Sequence, residues 1–345
     1  MRRTRIVIRK AGGLDALEAV RDEAPAPSAG EVAVAVEAAG INYADCVVRR
    51  GLYRSARDYV GWPITPGFEV AGRVAAVGPG VQSRAVGEPV IAVTRFGGYA
   101  SHLVAPEHQV FARPRGRSAP EAAALPTVFL TAWYALVELA RPRPGQRVLI
   151  HSAAGGVGSA AVQVARILGA EVTGVVGASH KVEPCEALGA EHVIDKSGDD
   201  LWARAEAIAP GGFDVILDAN GVSTLGASYA HLRRPGKLVV YGFASMLPRD
   251  GQPINWLRLG LDYLRTPRFN PLTLTNDCVS ILAFNLSYLF DERELLAEGM
   301  QRILTWTEEG RIRPPQVTTF PLAEAGRAQG ELESGRTVGK LVLVP

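Results

Sequence analysis

The 345-residue sequence holds only three cysteines, Cys46, Cys185 and Cys278. They are far apart and odd in number, which excludes a disulfide framework and points to a reducing, cytoplasmic setting. A run of about 18 apolar residues is missing, so no membrane-crossing helix is expected. Ile6-Val7-Ile8 is too short for the apolar core of a signal peptide. The nearest candidate for a span, Val279 to Phe290, is interrupted by Asn285 and Ser287 and reads as a buried strand and its exit. Neither sign of charge dominates: 37 Lys+Arg stand against 35 Asp+Glu, a net +2 without a basic block. Nucleic acid is therefore not a favoured partner.

What is present fits a turn-rich globular α/β protein, with 47% hydrophobic residues, 37 glycines and 23 prolines. The length exceeds what one core usually supports, so two domains are expected. Residues 1–123 show short apolar runs between Pro/Gly turns, the pattern of a small β barrel or sandwich. From Arg147 apolar strands alternate with helical segments, and six such strands match a doubly wound parallel sheet. The stretch Ser245 to Asn276 interrupts that alternation, with one helix-like piece at Trp256 to Leu264. A helix over Glu292 to Glu309 follows, and a last strand, Lys340 to Val344, is expected to return to the N-terminal domain.

The most informative stretch is 151–158, HSAAGGVG, between the apolar run Arg147–Ile150 and the alanine-rich run Ser159–Leu168. Strand, tight glycine turn and helix start, in that order, aim backbone N–H groups and the positive end of a helix dipole at a phosphate. Ala153-x-Gly155-x-x-Gly158 is a GxGxxG spacing with alanine first, which makes Ala154, Gly155, Gly156 and Val157 candidates for cofactor contact. Alone the pattern is also compatible with a glycine-rich turn holding no ligand. The residues downstream sharpen it. Chains that prefer NAD place Asp or Glu about 20 residues further on, against the ribose 2′-hydroxyl. Here the second strand ends in Gly177-Ala178-Ser179-His180-Lys181, with no carboxylate, and Lys196 follows the third strand. Gly177, Ser179, Lys181 and Lys196 thus suit a 2′-phosphate and NADPH; the alternative is that both lysines are ordinary solvated ones. Asn220, Gly242 and Phe243 follow later strands at their carboxyl ends, where ligands of such sheets lie. Phe284 could close the nicotinamide end, with a core role as the plain alternative for both phenylalanines.

With both halves in view the chain resembles the medium-chain dehydrogenase/reductase superfamily over its whole length, nearest its zinc-independent quinone oxidoreductase branch. The matching residues are Gly40-Ile41-Asn42-Tyr43-Ala44-Asp45, Arg50-Gly51-Leu52-Tyr53, Pro66-Gly67-Phe68-Glu69-Val70-Ala71-Gly72, Gly97-Gly98-Tyr99-Ala100, Leu130-Thr131-Ala132 and the glycine turn. Asn270-Pro271, Ala283-Phe284-Asn285-Leu286 and Val338-Gly339-Lys340 are similar to the vesicle amine transport protein homologues. The resemblance implies a GroES-like β-barrel domain (1–123, completed by 291–345) with an inserted Rossmann domain (124–290). It further implies an active site in the cleft between them and a homodimer.

Zinc members carry a Cys and a His where this chain has Asn42 and Phe68, and no cysteine cluster stands near Ile91 to Tyr99, so no metal is expected. Without a Lewis acid, reduction of an already electrophilic quinone or α,β-unsaturated carbonyl is the easier chemistry, with the protein positioning the acceptor and offering donors to its oxygen. Asn42 and Tyr53 are the candidates for that role. Asn42 is also a candidate for the nicotinamide ribose, against a plain turn role; Tyr53 could equally be a half-buried loop aromatic. Asp45 reads as a helix cap. The resemblance places Thr127 at the nicotinamide carboxamide and Lys340 at the cofactor ribose, against a self-bonded helix hydroxyl and a solvated lysine. His102, His151 and His231 have no partner readable from sequence; His180, next to Lys181, could assist phosphate binding, against an exposed loop histidine; and Cys46 reads as a small buried hydrophobe. The loop Arg54 to Trp62, longer and more basic than in the family, is expected to rim the acceptor site. Two other readings stay open: an enoyl-thioester reductase of polyketide or lipid synthesis, and a non-catalytic NADPH-binding partner protein.

Overall fold

The computed structural model describes residues 1–249 and 251–345. In chain order they form β1 (Arg2–Val7), β2 (Glu18–Glu23), β3 (Glu31–Gly40), α1 (Tyr43–Arg49), α2 (Arg54–Tyr59), β4 (Glu69–Val77), β5 (Pro89–Val93), β6 (His102–Pro106), β7 (Val110–Ala112), α3 (Ala119–Ala123) and α4 (Pro126–Trp133). There follow β8 (Arg147–Ile150), α5 (Gly156–Ile167), β9 (Glu171–Val176), α6 (Val182–Ala187), β10 (His192–Asp195), α7 (Leu201–Ile208), β11 (Phe213–Asp218), α8 (Leu225–Ala230) and β12 (Leu232–Val240). The chain closes with α9 (Trp256–Arg265), α10 (Pro271–Asp277), β13 (Val279–Ala283), α11 (Arg293–Glu308), β14 (Val317–Pro321), α12 (Ala325–Glu333) and β15 (Lys340–Val344).

Two compact units result, one of Met1–Leu130, Arg249–Gly251 and Leu286–Pro345, the other of Thr131–Pro248 and Gln252–Asn285. The first unit thus runs on to Leu130 and resumes at Leu286, a few residues inside the segment expected for the inserted domain. Its sheet has the order β14-β15-β3-β4-β5-β7, with β6 also on β3. β3 alternates inward valines with smaller residues, and Val32, Val34 and Val36 enter a core with Val70, Val90 and Leu103. The C-terminal strand closes this sheet: β15 lies antiparallel to β3, Val342 opposite Gly40.

The second unit is a parallel six-stranded sheet in the order β10-β9-β8-β11-β12-β13. Its central strands β8 and β11 carry near-continuous apolar runs, as strands covered on both faces must. The switch in strand order falls between β8 and β11, where ligands of such sheets bind.

Three expectations need correction. Residues expected as the loop Arg54 to Trp62 begin with a helix, α2: Arg54 and Asp58 pair at i,i+4 and Gly61, at φ +75°, ends the segment. β13 is the outermost strand of its sheet, and its residues are half-buried or exposed, not buried. A helical stretch over 119–140, 22 residues with an 18-residue window of mean hydropathy 1.5, is long and apolar enough to cross a membrane, where no such helix is expected from the sequence; 72% of that window is buried inside the protein.

Candidate functional site

In the second unit the end of β8 is stitched to both neighbours: the His151 N–H donates to Leu217 O (3.1 Å) on β11 and the Ala153 N–H to Val175 O (3.0 Å) on β9. Ser152 takes a left-handed φ of 56° to make the turn. Gly155 caps α5, whose first residues are Gly156 and Val157. A Cβ on Gly158 would lie 2.1 Å from Ser152 O and 2.7 Å from Ala153 Cα, so only glycine lets the helix pack this close beneath its own turn. Ala153 and Ala154 are buried in that packing. The result is a cradle of backbone amides at the N-terminus of a twelve-residue helix, suited to a pyrophosphate.

A hub unnoticed in the sequence holds the next wall. The Asp218 carboxylate at the end of β11 accepts from the N–H groups of Asn220 (2.8 Å) and Gly221 (3.0 Å) and from the hydroxyls of Thr224 (2.7 Å) and Ser228 (2.9 Å). Asn220 is thereby presented to the turn, where its Oδ1 accepts from Ser152 Oγ at 3.0 Å. His151 joins the same network through Nε2 and Ser228 Oγ, 3.0 Å apart. Burial pushes its pKa down to about 4, against the opposing pull of Asp218, so the ring is neutral at ordinary pH. His231 instead stacks on Trp202, 4.4 Å between centroids. Gly242 packs on Ala219, where a Cβ would meet the carbonyl at 2.9 Å. Phe243 is exposed beside Gly221, whereas Phe284 is half-buried and packs on Tyr134, 4.8 Å between centroids.

At the tips of β9 and β10 the two lysines differ. Lys181 ends a short 3-10 turn and is only 9% exposed, while Lys196 is exposed and its Cε lies 3.6 Å from where a Gly177 Cβ would stand. The tip of β9 itself has no carboxylate, as expected, but the neighbouring strand brings one beside it. Asp195, the last residue of β10, accepts the Ser179 hydroxyl at 2.6 Å. It lies 16 positions from Ser179 in sequence and comes beside it through the pairing of β10 with β9.

In the first unit a buried polar cluster gathers Asn42, Thr127 and Lys340 around Glu69, which the sequence reading used only as a motif residue. Glu69 is fully buried, and its Oε1 accepts from Asn42 Nδ2 (2.9 Å) and pairs with Lys340 Nζ (2.8 Å). Its Oε2 accepts the Thr127 N–H at 2.7 Å. Lys340 also donates to Asn42 Oδ1. An ammonium on the oxygen and a carboxylate on the nitrogen fix which way the Asn42 amide points. Gly40 makes room for this: a Cβ there would fall 2.3 Å from Glu69 Oε1 and 2.6 Å from Ala123 O. Lys340, at 3% exposure, is not the solvated lysine that was one alternative.

Asp45 caps α1 by accepting the Asn42 N–H (2.8 Å), and also takes the Gly67 N–H (2.8 Å) and Tyr99 hydroxyl (3.1 Å). Burial raises its pKa to about 7 in spite of these donors. Tyr53 stands before α2 with its ring edge-on to Phe68 (5.8 Å) and Phe96 (6.4 Å). Its hydroxyl shares a 2.8 Å hydrogen bond with Ser287, a partner 234 positions away. Phe68 thus belongs to an apolar cluster with Ile8, Val48 and Ile64. Cys46 is a buried free thiol in the same unit. Among the described residues no group of three or more His, Cys, Asp or Glu could hold a metal ion.

A chain that joins a seven-stranded, mostly antiparallel sheet to a doubly wound parallel sheet with a glycine turn before its first helix has the build of a two-domain nucleotide-dependent dehydrogenase. Comparison with known proteins gives the family. The alcohol dehydrogenase GroES-like domain matches residues 28–115, and the domain described as zinc-binding dehydrogenase matches 188–343. The synaptic vesicle membrane protein VAT-1 homolog of Danio rerio is 34% identical over 340 residues, covering 98% of this chain and 69% of that protein. Escherichia coli quinone oxidoreductase, solved with NADPH, superposes with a TM-score of 0.85 at 31% identity, covering 99% of this chain and all of that one. The CurK enoyl reductase superposes with a TM-score of 0.84 at 29% identity, covering 99% of each. The chain belongs to the medium-chain dehydrogenase/reductase superfamily, in its quinone oxidoreductase branch.

Proposed function

We propose that the protein is an NADPH-dependent reductase of quinones or α,β-unsaturated carbonyls that works without zinc. The observation that carries this reading is the pyrophosphate cradle under Gly158, whose sequel at the tips of β9 and β10 offers the exposed ammonium of Lys196. NADPH supplies the hydride. The chain's own task is to bind, orient and donate. Amides of Gly156 and Val157 face the pyrophosphate, with Ala154, Gly155 and Asn220 as walls. Gly177, Ser179, Lys181 and Lys196 serve the adenosine ribose and its phosphate. Gly242, Phe243 and Phe284 line the way to the nicotinamide.

Asn42 keeps one amide hydrogen beyond its bond to Glu69, and this hydrogen is offered to the nicotinamide ribose or the acceptor oxygen. Thr127, anchored through its N–H, and Lys340 hold the same corner. The Tyr53 hydroxyl, oriented by Ser287, donates to the oxygen on which charge grows as the acceptor is reduced. An activated acceptor needs no metal for this step, and Asn42 and Phe68 stand where the zinc members carry ligands.

A second reading, reduction of an enoyl-thioester, draws support from the CurK enoyl reductase superposition. The deciding experiment follows NADPH oxidation with quinones, enals, enones and crotonyl-thioester, repeated with NADH. Turnover of small quinones or enones supports the main reading, and turnover of the thioester alone replaces it. Lys196→Ala is expected to raise KM for NADPH about tenfold or more, the weight of one charge-assisted phosphate contact, and to leave NADH nearly untouched. An equal loss for both nucleotides counts against a phosphate contact.

A further inference from the structure

The tip of β9 and β10 carries an acid and a base side by side. Asp195 pairs in register with Val176, the last residue of β9, so its carboxylate stands one strand over from Gly177 and Ser179. Its Oδ2 accepts the Ser179 hydroxyl at 2.6 Å, and its Oδ1 accepts the Ser197 N–H (3.0 Å) and hydroxyl (2.6 Å). These bonds, that from Ser179 foremost, hold the carboxyl below its usual range, so it is charged at any working pH. The next residue, Lys196, anchors its N–H on Val176 O at 3.1 Å and lays its side chain towards Gly177.

We propose that Asp195 is a specificity-determining residue that restrains the preference for NADPH and admits NADH. The inference rests on the nucleotide reading above and extends it to cofactor choice. A ribose 2′-hydroxyl can donate to a carboxylate, which is how acids at such strand tips favour NADH. A 2′-phosphate carries nearly two negative charges and is repelled by the same group. Ser179 has one hydroxyl proton. Given to Asp195, that proton is not available to a phosphate oxygen. Lys196 therefore works for the phosphate while Asp195 works against it twice, by charge and by holding Ser179.

The test measures kcat/KM for NADPH and NADH with one acceptor, together with nucleotide affinity by fluorescence titration. Asp195→Asn removes the charge and keeps an acceptor for Ser197. Its NADPH/NADH ratio is expected to rise about fivefold or more, the order of one screened charge repulsion near a surface, chiefly through KM. Asp195→Ser gives the same direction with a smaller side chain, should the amide disturb the fold. Ser179→Ala is expected to weaken NADPH several-fold more in the Asp195→Asn background than in the native one, because only there is the hydroxyl released. A ratio that stays level or moves towards NADH in both Asp195 variants overturns the proposal, as does an equal Ser179→Ala effect in both backgrounds. If the native protein binds neither nucleotide, the nucleotide reading falls as well; if it binds them and the ratio does not move, this inference alone falls.

Discussion

Replacing Glu69 by leucine removes the acceptor of two hydrogen bonds and the partner of a buried ammonium in one step. Lys340, 3% exposed, would then hold its charge in the core of the first unit with the neutral oxygen of Asn42 as its hydrogen-bond acceptor and the Asp45 carboxyl within electrostatic reach. Breaking a buried ion pair from one side costs about 3–5 kcal/mol, because the desolvated charge is left without its counter-ion. Lys340→Met leaves the Glu69 carboxylate stranded and falls in the same range. The double variant leaves no lone charge, so its cost should be well below the sum of the two, with a coupling of about 2 kcal/mol or more. For a unit of this size each kcal/mol moves the melting point by roughly 2–4 °C. Calorimetry of the native, two single and one double variant reads the cycle directly. Additive losses, or single variants within about 1 kcal/mol of native, would mean that the pair contributes no more than a surface ion pair and would refute the buried clamp.

Three further outcomes follow from the same geometry. His151 binds a proton below its ordinary 6.5 when unfolded but only near 4 when folded, so its contribution is complete above pH 6.5 and is lost as pH falls towards 4. The difference amounts to about 3 kcal/mol; His151→Gln should flatten the pH dependence of melting in that window, and an unchanged slope would argue against the assignment. Gly158→Ala forces a methyl against Ser152 O and should cost about 1–3 kcal/mol of stability along with nucleotide affinity; native-like binding by titration would remove the cradle from the argument. Tyr53→Phe should lower kcat with little change in KM for NADPH, and Ser287→Ala should do so more weakly, since Ser287 orients the hydroxyl without touching the acceptor; a KM effect alone in steady-state kinetics would move Tyr53 from donor to wall.

The readable part of the site is the local part. The glycine turn is legible because strand, glycines and helix follow one another within about twenty residues, and because steric need for glycine leaves a mark at 158. The helix α2 was misread because a run rich in arginine and bounded by glycines looks like loop, although Arg54 and Asp58 pair across one turn. β13 was misread because an apolar segment does not reveal whether it lies at the centre or the edge of its sheet.

By itself the sequence determined the two architectures and the strand, glycine turn and helix of 147–167, since each follows from spacing within one or two elements. Tertiary structure alone decided the companions of the functional groups. Lys340 meets Asn42 across 298 positions, Tyr53 meets Ser287 across 234, and Asp195 reaches Ser179 by strand pairing. No periodicity records such meetings, because hydrogen bonds between distant segments depend on how whole sheets close and not on the residues beside each partner.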